Sequence, residues 1–130
     1  MIVDGKKRKE NMFNFEKLET WQEAIAFADL VYEVTRNFPA DERFGLTNQM
    51  RRAAVSVSSN IAEGAARNSK ADYARFLEIA RGSLFEVVSQ SFVGKRQGFP
   101  SEPAFQKLYL AAGEQGKMLS GLRRAVLEGS

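Results

Sequence analysis

One stretch of this chain decides between two fold classes. Residues 51–67 read RRAAVSVSSNIAEGAAR, and positions 55–58 alternate apolar and polar residues as a half-buried strand does. The flanking residues are rich in alanine, which favours a helix. Apolar or small residues recur every three or four positions from 46 to 64, and no turn signal interrupts them: Leu46, Met50, Ala53, Val57, Ile61 and Gly64. The sequence therefore predicts a helix whose small side chains let neighbouring backbones approach closely.

A capping box and two apolar rows predict a helix before this one. Thr20 and Glu23 have the Thr-x-x-Glu spacing of a helix N-terminus, and Pro39 ends the helix. One row of apolar residues contains Trp21, Ala24, Ile25, Ala28, Tyr32 and Thr35, and the other contains Phe27, Leu30, Val31, Val34 and Phe38. Because one row is enough to pack a monomer, the second row predicts burial against other copies of the chain.

Capping residues mark two further helices. Ser69 is predicted to cap a third helix that stops near Gly98, and Ser101 to cap a fourth with Pro103 in its first turn. Each of the four helices is predicted to be about 20–28 residues long. Short connections make sequential helices antiparallel neighbours. The predicted fold is all-α: an antiparallel up-down-up-down four-helix bundle.

The chain of 130 residues is expected to form one domain. Residues 1–12 are predicted to be a disordered N-terminal tail, and residues 13–130 to be the bundle domain. No apolar run approaches the roughly 20 residues that span a bilayer, so we expect no membrane association. The absence of cysteine fits a reducing compartment, and we expect the cytoplasm.

The residue types needed for most catalysis are missing. The chain has no histidine and no cysteine, which removes the commonest general base, the usual zinc ligands and thiolate chemistry. The sequence also lacks a nucleophile–base pair, a glycine-rich phosphate loop and carboxylates at ligand spacing. We therefore expect no enzyme activity, no cofactor and no metal. The alternative is an active site at a junction between copies, with Glu63 as its acid–base.

The net charge of +3 is unevenly distributed. Residues 12–42 contain two basic and seven acidic side chains, a net charge of −5, whereas residues 43–96 contain nine basic and four acidic side chains, a net charge of +5. Such polarisation can attract an anionic ligand or pair one subunit with the next.

The basic segment supplies candidate nucleic-acid contacts. In a monomer most of these side chains are expected to be ordinary solvated surface, but a ring would repeat them around its axis and strengthen their field. The nearby aromatic residues, which are Tyr73, Phe76, Phe85 and Phe92, are mostly in phase with the core and are poor candidates for base stacking. The candidate nucleic-acid-binding residues are Arg51, Arg52, Arg67, Lys70 and Arg75.

A polar stripe runs beside the apolar face of the second helix. Gln49, Asn60 and Glu63 are predicted to form a structural polar seam that fixes the register between helices or subunits. Glu63 and Arg67 are four residues apart, which predicts an ion pair between their side chains. The alternative interpretation is that Asn60, Glu63 and Arg67 bind a polar partner.

Several segments resemble the four-helix bundle proteins encoded in intervening sequences of bacterial 23S ribosomal RNA genes. They are LETWQEA at 18–24, residues 38–77 and IARGSLFE at 79–86, and the segment NIAEG followed by R-x-S-K is highly characteristic. The resemblance spans about residues 13–126. It implies a homopentameric bundle, association with ribosomal RNA or other nucleic acid, and no catalytic residue. A related group serves as accessory proteins of reverse transcriptases. This chain has Val88 where the family usually has an acid, which bears on any partner that requires one there.

Two functional hypotheses follow. The first is a non-enzymatic, ring-forming protein that binds ribosomal RNA or another nucleic acid through basic residues of helices 2 and 3. The alternative is a protein-interaction scaffold, or an accessory protein for a nucleic-acid enzyme such as a reverse transcriptase. A small-molecule substrate is not expected under either hypothesis.

Overall fold

The computed structural model describes residues 11–129, and all regular structure in that range is helical. The helices are α1 (Glu19–Thr35), α2 (Leu46–Ala65), α3 (Lys70–Gln97) and α4 (Glu102–Glu128), with 3-10 turns at Asn14–Lys17 and Ala40–Glu42. The predicted all-α class is confirmed. The ambiguous alternating segment lies inside α2, so the strand alternative is wrong. At 17 residues, α1 is shorter than predicted.

The four helices are arranged in cyclic order. Each helix packs against the next one in the chain, and α4 returns to pack on α1. Within residues 11–129, the diagonal pairs α1–α3 and α2–α4 do not pack together. This order, with short connections, is consistent with the predicted up-down-up-down arrangement.

The core lies along the line where the four helices meet. Gln115 is buried there among apolar residues, and its Nε2 donates to the carbonyl oxygen of Thr20 at 3.2 Å, which joins α4 to α1. The largest apolar side chains that are almost completely buried are Val31, Met50, Val57, Ile61, Leu77, Leu84, Val87 and Leu119. Because every helix contributes to this set, no helix is peripheral to the fold.

The predicted capping box at the start of α1 is wrong. α1 begins at Glu19 and its N-cap is Leu18, whose side chain makes no capping hydrogen bond to the first turn of the helix. Thr20 is therefore inside the first turn, where it is buried against the rest of the bundle. The Thr-x-x-Glu spacing is present, but the helix, which follows directly on the 3-10 turn, starts two residues too early for Thr20 to be its N-cap.

The other predicted caps are confirmed. The Ser69 Oγ accepts a hydrogen bond from the backbone N–H of Asp72 at 3.1 Å, and the Ser101 Oγ accepts one from that of Ala104 at 3.2 Å. Gly98 ends α3 with φ of 78°, a left-handed conformation that glycine adopts without steric cost. These three residues therefore set where α3 begins and ends and where α4 begins.

The two apolar rows of α1 are buried mainly within the same chain. Because α1 packs on both α2 and α4, a wide apolar face is needed inside one bundle. The exceptions are Ile25 and Tyr32, each 38% exposed. The interpretation that the second row requires another copy of the chain is therefore wrong. The buried members of the rows are Ala24, Phe27, Ala28, Val31, Val34, Thr35 and Phe38.

The segment before α1 is attached to the bundle. The Asn14 Nδ2 donates to the carbonyl oxygen of Ala65 at 2.8 Å, and the rings of Phe15 and Trp21 pack edge to face with centroids 4.9 Å apart. Almost all of the predicted disordered tail lies outside the described residues. Across residues 11–129, none of the helices contains a stretch long and apolar enough to cross a membrane.

Candidate nucleic-acid interface

Gly64 brings the end of α2 into close contact with α3. A Cβ at this position would lie 2.9 Å from the Cβ of Phe76 and 3.0 Å from the Cδ1 of Tyr73, closer than carbon atoms normally approach. The prediction that a glycine here permits close packing is confirmed. Burial in the same contact raises the pKa of the Tyr73 phenol.

Two arginines lie over the ring of Phe76 at the α2–α3 turn. The guanidinium carbon of Arg67 is 4.9 Å from the ring centroid and that of Arg75 is 4.7 Å from it. Asp72, placed in the first turn of α3 by the Ser69 cap, accepts from Arg75 at 2.8 Å. The aromatic ring therefore orients both cations, but a carboxylate partly neutralises only Arg75.

Lys70 and the turn itself complete this cluster. The Lys70 Nζ donates to the carbonyl oxygen of Gly129, just after the end of α4. The turn forms a shallow cavity of about 540 Å³ whose lining includes Arg67, Asn68, Ser69 and Arg75. Lys70 is thus engaged within the chain, whereas Arg67 and Arg75 face the cavity.

Arg51 is anchored to the end of α1. Its Nε donates to the Thr35 Oγ1 at 2.9 Å, one terminal nitrogen donates to the Tyr32 carbonyl oxygen at 3.4 Å, and its guanidinium lies 4.5 Å from the Tyr32 ring centroid. These bonds satisfy polar groups in the last turn of α1, where a cation is also favoured by the helix dipole. Arg51 therefore joins α2 to the end of α1.

Arg52 is exposed and has no ion pair within residues 11–129. Together with Arg51 it lines a cavity of about 550 Å³ between α1 and α2, whose other lining residues include Tyr32, Asn48 and Ser59. No carboxylate lines this cavity. Arg52 also lines a second cavity together with Glu86 of α3, so it is the side facing α1 that is favourable for an anion.

The five candidate basic residues form two clusters and not one patch. Arg51 and Arg52 lie near the start of α2, and Arg67, Lys70 and Arg75 surround the turn after its end. Arg51 and Arg67 are 16 positions apart, which corresponds to about 24 Å along a helix. A single phosphate therefore cannot contact both clusters.

Within residues 11–129, none of the three predicted seam residues forms a side-chain hydrogen bond between helices, and Asn60 bonds only within α2. The Asn60 Nδ2 donates to the carbonyl oxygen and the Oγ of Ser56, at 2.8 and 3.0 Å. The Ser56 Oγ also bonds the Ser83 Oγ of α3 at 2.8 Å. Asn60 therefore supports an α2–α3 contact that Ser56 makes directly.

The other two seam residues lie outside this cluster. Gln49 and Glu63 are exposed, and their side chains make no hydrogen bond within residues 11–129. The predicted Glu63–Arg67 ion pair is wrong, because the Arg67 Nε donates to the backbone carbonyl of Glu63 at 3.2 Å while its guanidinium covers Phe76. The aromatic contact draws Arg67 away from the carboxylate.

Burial raises the pKa of the Tyr73 phenol, which keeps it protonated at neutral pH. Within residues 11–129, no group of three acidic side chains lies close enough to hold a metal ion. What the arrangement can do is present guanidinium N–H donors to an anionic surface.

Sequence reasoning missed an apolar groove between α3 and α4. The four aromatic residues near the basic segment were expected to be mostly in phase with the core, but two of them, Phe85 and Phe92, are 58% and 45% exposed. Phe85 borders a groove of about 850 Å³ between the two helices, which Tyr109 and Leu110 also line. The signal was available, since positions 81, 85, 88 and 92 form a row beside the core row of α3.

The fold and surface define a class: a helical bundle that presents two arginine clusters on α2 and at the α2–α3 turn. The family model described as 23S rRNA-intervening sequence protein matches residues 16–121. The chain belongs to this family, and the resemblance noted from its sequence segments is confirmed.

A solved structure shares the fold. It is a protein of unknown function from the S23 ribosomal protein family of Bacteroides thetaiotaomicron, with 20% sequence identity and a TM-score of 0.72. The match covers 80% of this chain and 97% of that one. No curated protein sequence matches this chain significantly.

Proposed function

We propose that this chain is a cytoplasmic, non-enzymatic protein that assembles with copies of itself and associates with ribosomal RNA or another nucleic acid. The observation that carries the proposal is the arginine pair at the α2–α3 turn, where Arg67 and Arg75 both lie over Phe76. A guanidinium held on an aromatic ring keeps N–H groups available for phosphate oxygens and loses less side-chain freedom on binding.

The contacts rank the five candidate residues. Arg52 and Arg67 have no carboxylate partner within residues 11–129, so they are the leading phosphate contacts. Arg75 shares its charge with Asp72. Arg51 and Lys70 are engaged with backbone carbonyls, so they contribute mainly to the local field.

Assembly would make these few charges effective. One copy has two separate clusters, whereas a ring repeats each of them and offers a polyanion many weak contacts. Apolar side chains outside the core, such as Phe44, Val55, Ile79 and Val93, give copies a surface to bury.

The test is a salt titration of binding to a structured RNA hairpin. The double variant Arg52→Ala/Arg67→Ala should weaken binding and lower the slope of log K against log salt by about 2 per protomer contacting the RNA. Arg36→Ala, which removes an exposed arginine from the acidic part of the chain, is the matched control and should change neither. Absence of binding by the unaltered protein at about 50 mM salt would sink the proposal.

A second candidate function is a protein-interaction scaffold, including an accessory role beside a nucleic-acid enzyme such as a reverse transcriptase. The observation that favours it is the α3–α4 groove, which is lined mainly by apolar residues. Nuclease treatment separates the two candidates, because a complex with a protein should survive it and a complex bridged by RNA should not.

A further inference from the structure

The α3–α4 groove lies between residues 81–89 of α3 and residues 109–124 of α4. It encloses about 850 Å³ between two long helices, with Leu84, Val88 and Ala112 in its lining. Gly113 and Gly116 leave the α4 side of the groove without side chains at two positions. A Cβ at Gly113 would meet no atom within 4 Å, and one at Gly116 would meet only Leu84 at 3.6 Å. The missing side chains therefore widen the groove.

Large apolar side chains along the groove are exposed to water. Leu110 is 66% exposed, Phe85 58% and Tyr109 47%. Contiguous apolar exposure of this kind is uncommon on a surface that remains free, and it marks interaction sites. The groove thus has an apolar floor and apolar edges that a partner would bury.

Cations are present on both sides of the groove. Arg81 projects from α3, and Lys117 and Arg124 project from α4, while Glu114 is the one carboxylate in the lining. Arg81 lies 3.7 Å from Glu78 and Lys117 lies 3.7 Å from Glu114, whereas Arg124 has no ion pair within residues 11–129, so the lining keeps an excess of positive charge. An occupant with acidic residues beside its apolar face is therefore complementary in charge.

We infer that the α3–α4 groove docks an amphipathic helix of a partner protein, with apolar side chains at i, i+3, i+4 and i+7 and acidic residues on both flanks. Such helix-in-groove recognition needs an apolar trough between two helices and opposite charges at its edges. This inference goes beyond nucleic-acid association and does not depend on it.

The α1 helix of a second copy, or its own α3–α4 groove, fits this groove less well. The α1 helix is acidic, but its exposed large apolar side chains are Ile25 and Tyr32, and Arg51 already covers the Tyr32 ring. Pairing two grooves face to face would oppose the basic edges of both copies. An RNA strand would leave the aliphatic floor unfilled, because bases stack on aromatic faces and Arg81 lies 4.7 Å from the Phe85 ring centroid.

The experiment measures binding of a fluorescent helical peptide of about 18 residues to the full chain by anisotropy. The peptide has leucine at the four apolar positions and glutamate on both flanks, and a second peptide has lysine in place of glutamate. The glutamate peptide should bind with micromolar affinity, and the lysine peptide should bind at least about tenfold more weakly.

Two glycine variants form a matched pair for this assay. Gly113→Leu fills the groove and should weaken binding of the glutamate peptide by about tenfold or more. Gly82→Leu makes the same change on α3 outside the groove lining, where a Cβ also meets nothing within 4 Å, and should change the affinity less than about twofold. Arg124→Glu should weaken binding of the glutamate peptide and strengthen binding of the lysine peptide.

Three kinds of result would overturn the inference. One is no binding of the glutamate peptide at about 100 µM, or equal loss in both glycine variants. Another is a smaller assembly for Gly113→Leu than for Gly82→Leu in sedimentation, which would assign the groove to a second copy. The third is competition by single-stranded RNA that Gly113→Leu abolishes, which would assign it to nucleic acid.

Discussion

Gly64→Ala tests whether the close approach of α2 and α3 is why this position is glycine. The added methyl group would lie 2.9 Å from the Phe76 Cβ and 3.2 Å from the Tyr73 carbonyl oxygen. Both atoms are on or next to the α3 backbone, so they cannot rotate away as the end of a flexible side chain could. The contact relaxes only if the two helices separate.

Two opposing effects set the magnitude of this change. Overpacking in a well-packed contact costs about 1–3 kcal/mol, and the rigid neighbours of Gly64 place it at about 2–3 kcal/mol. Replacing a helical glycine by alanine returns about 0.5–1 kcal/mol of helix propensity. We therefore expect Gly64→Ala to lower the free energy of unfolding by about 1–2 kcal/mol.

Gly82→Ala is the matched control, because it changes a helical glycine whose Cβ would meet nothing within 4 Å. It should raise the free energy of unfolding by about 0.5–1 kcal/mol. With an m-value of about 2 kcal/mol/M, the urea midpoints of the two variants should differ by about 1 M when followed by far-ultraviolet circular dichroism. All samples need one protein concentration, because assembly adds to stability. Equal stabilisation by both variants would refute the reasoning.

Three further stability predictions follow from the contacts. Arg51→Ala should lower the free energy of unfolding in urea by about 1 kcal/mol, since the Thr35 Oγ1 loses its donor and the Tyr32 ring loses its cation, whereas Arg52→Ala should change it by less than about 0.5 kcal/mol. Equal effects would contradict the anchoring of Arg51. Ser56→Ala should cost about 1 kcal/mol, because the Ser83 hydroxyl loses its partner, and a neutral result would mean that water replaces the bond. Burial raises the pKa of Tyr73 in the folded state above its ordinary 10.0, so the unfolded chain loses this proton first and the free energy of unfolding should fall as pH rises above about 10. In Tyr73→Phe the free energy of unfolding should fall less steeply over that pH range. An unchanged pH profile in this variant would contradict the effect.

Local patterns predicted the elements that depend on local interactions. The repeat through α2 outweighed the four-residue alternation because a helix of 20 residues carries more periodic positions than a short strand. Ser69 and Ser101 cap as predicted because each bonds an N–H three residues away. Thr20 does not, because the preceding 3-10 turn and the bond from Gln115, 95 residues away, fix its place in the helix.

The candidate site was less predictable because its contacts are distant in sequence. Composition identified the basic segment, but Arg51 bonds residues of α1 and Lys70 bonds a carbonyl after α4. These partners, 16 and 59 residues away, engage two of the candidate ligands in hydrogen bonds within the chain. The groove was missed for a related reason. Helical phase alone does not distinguish a residue that faces a neighbouring helix from a residue at the edge of the contact between the two helices. Phe85 is at such an edge.

The stability of the bundle and the geometry of the arginine pair depend on the same contact. Gly64 lets the Phe76 Cβ approach α2, and this approach places the Phe76 ring next to the turn that carries Arg67. If Gly64→Ala separates the helices, the Phe76 ring moves away from Arg67 but keeps Arg75, which is on its own helix. RNA affinity should then fall together with stability in Gly64→Ala. In Phe76→Leu, which keeps an apolar side chain but removes the ring, affinity should fall with a smaller loss of stability, and undiminished RNA binding by that variant would mean that the ring does not prepare the arginines for phosphate.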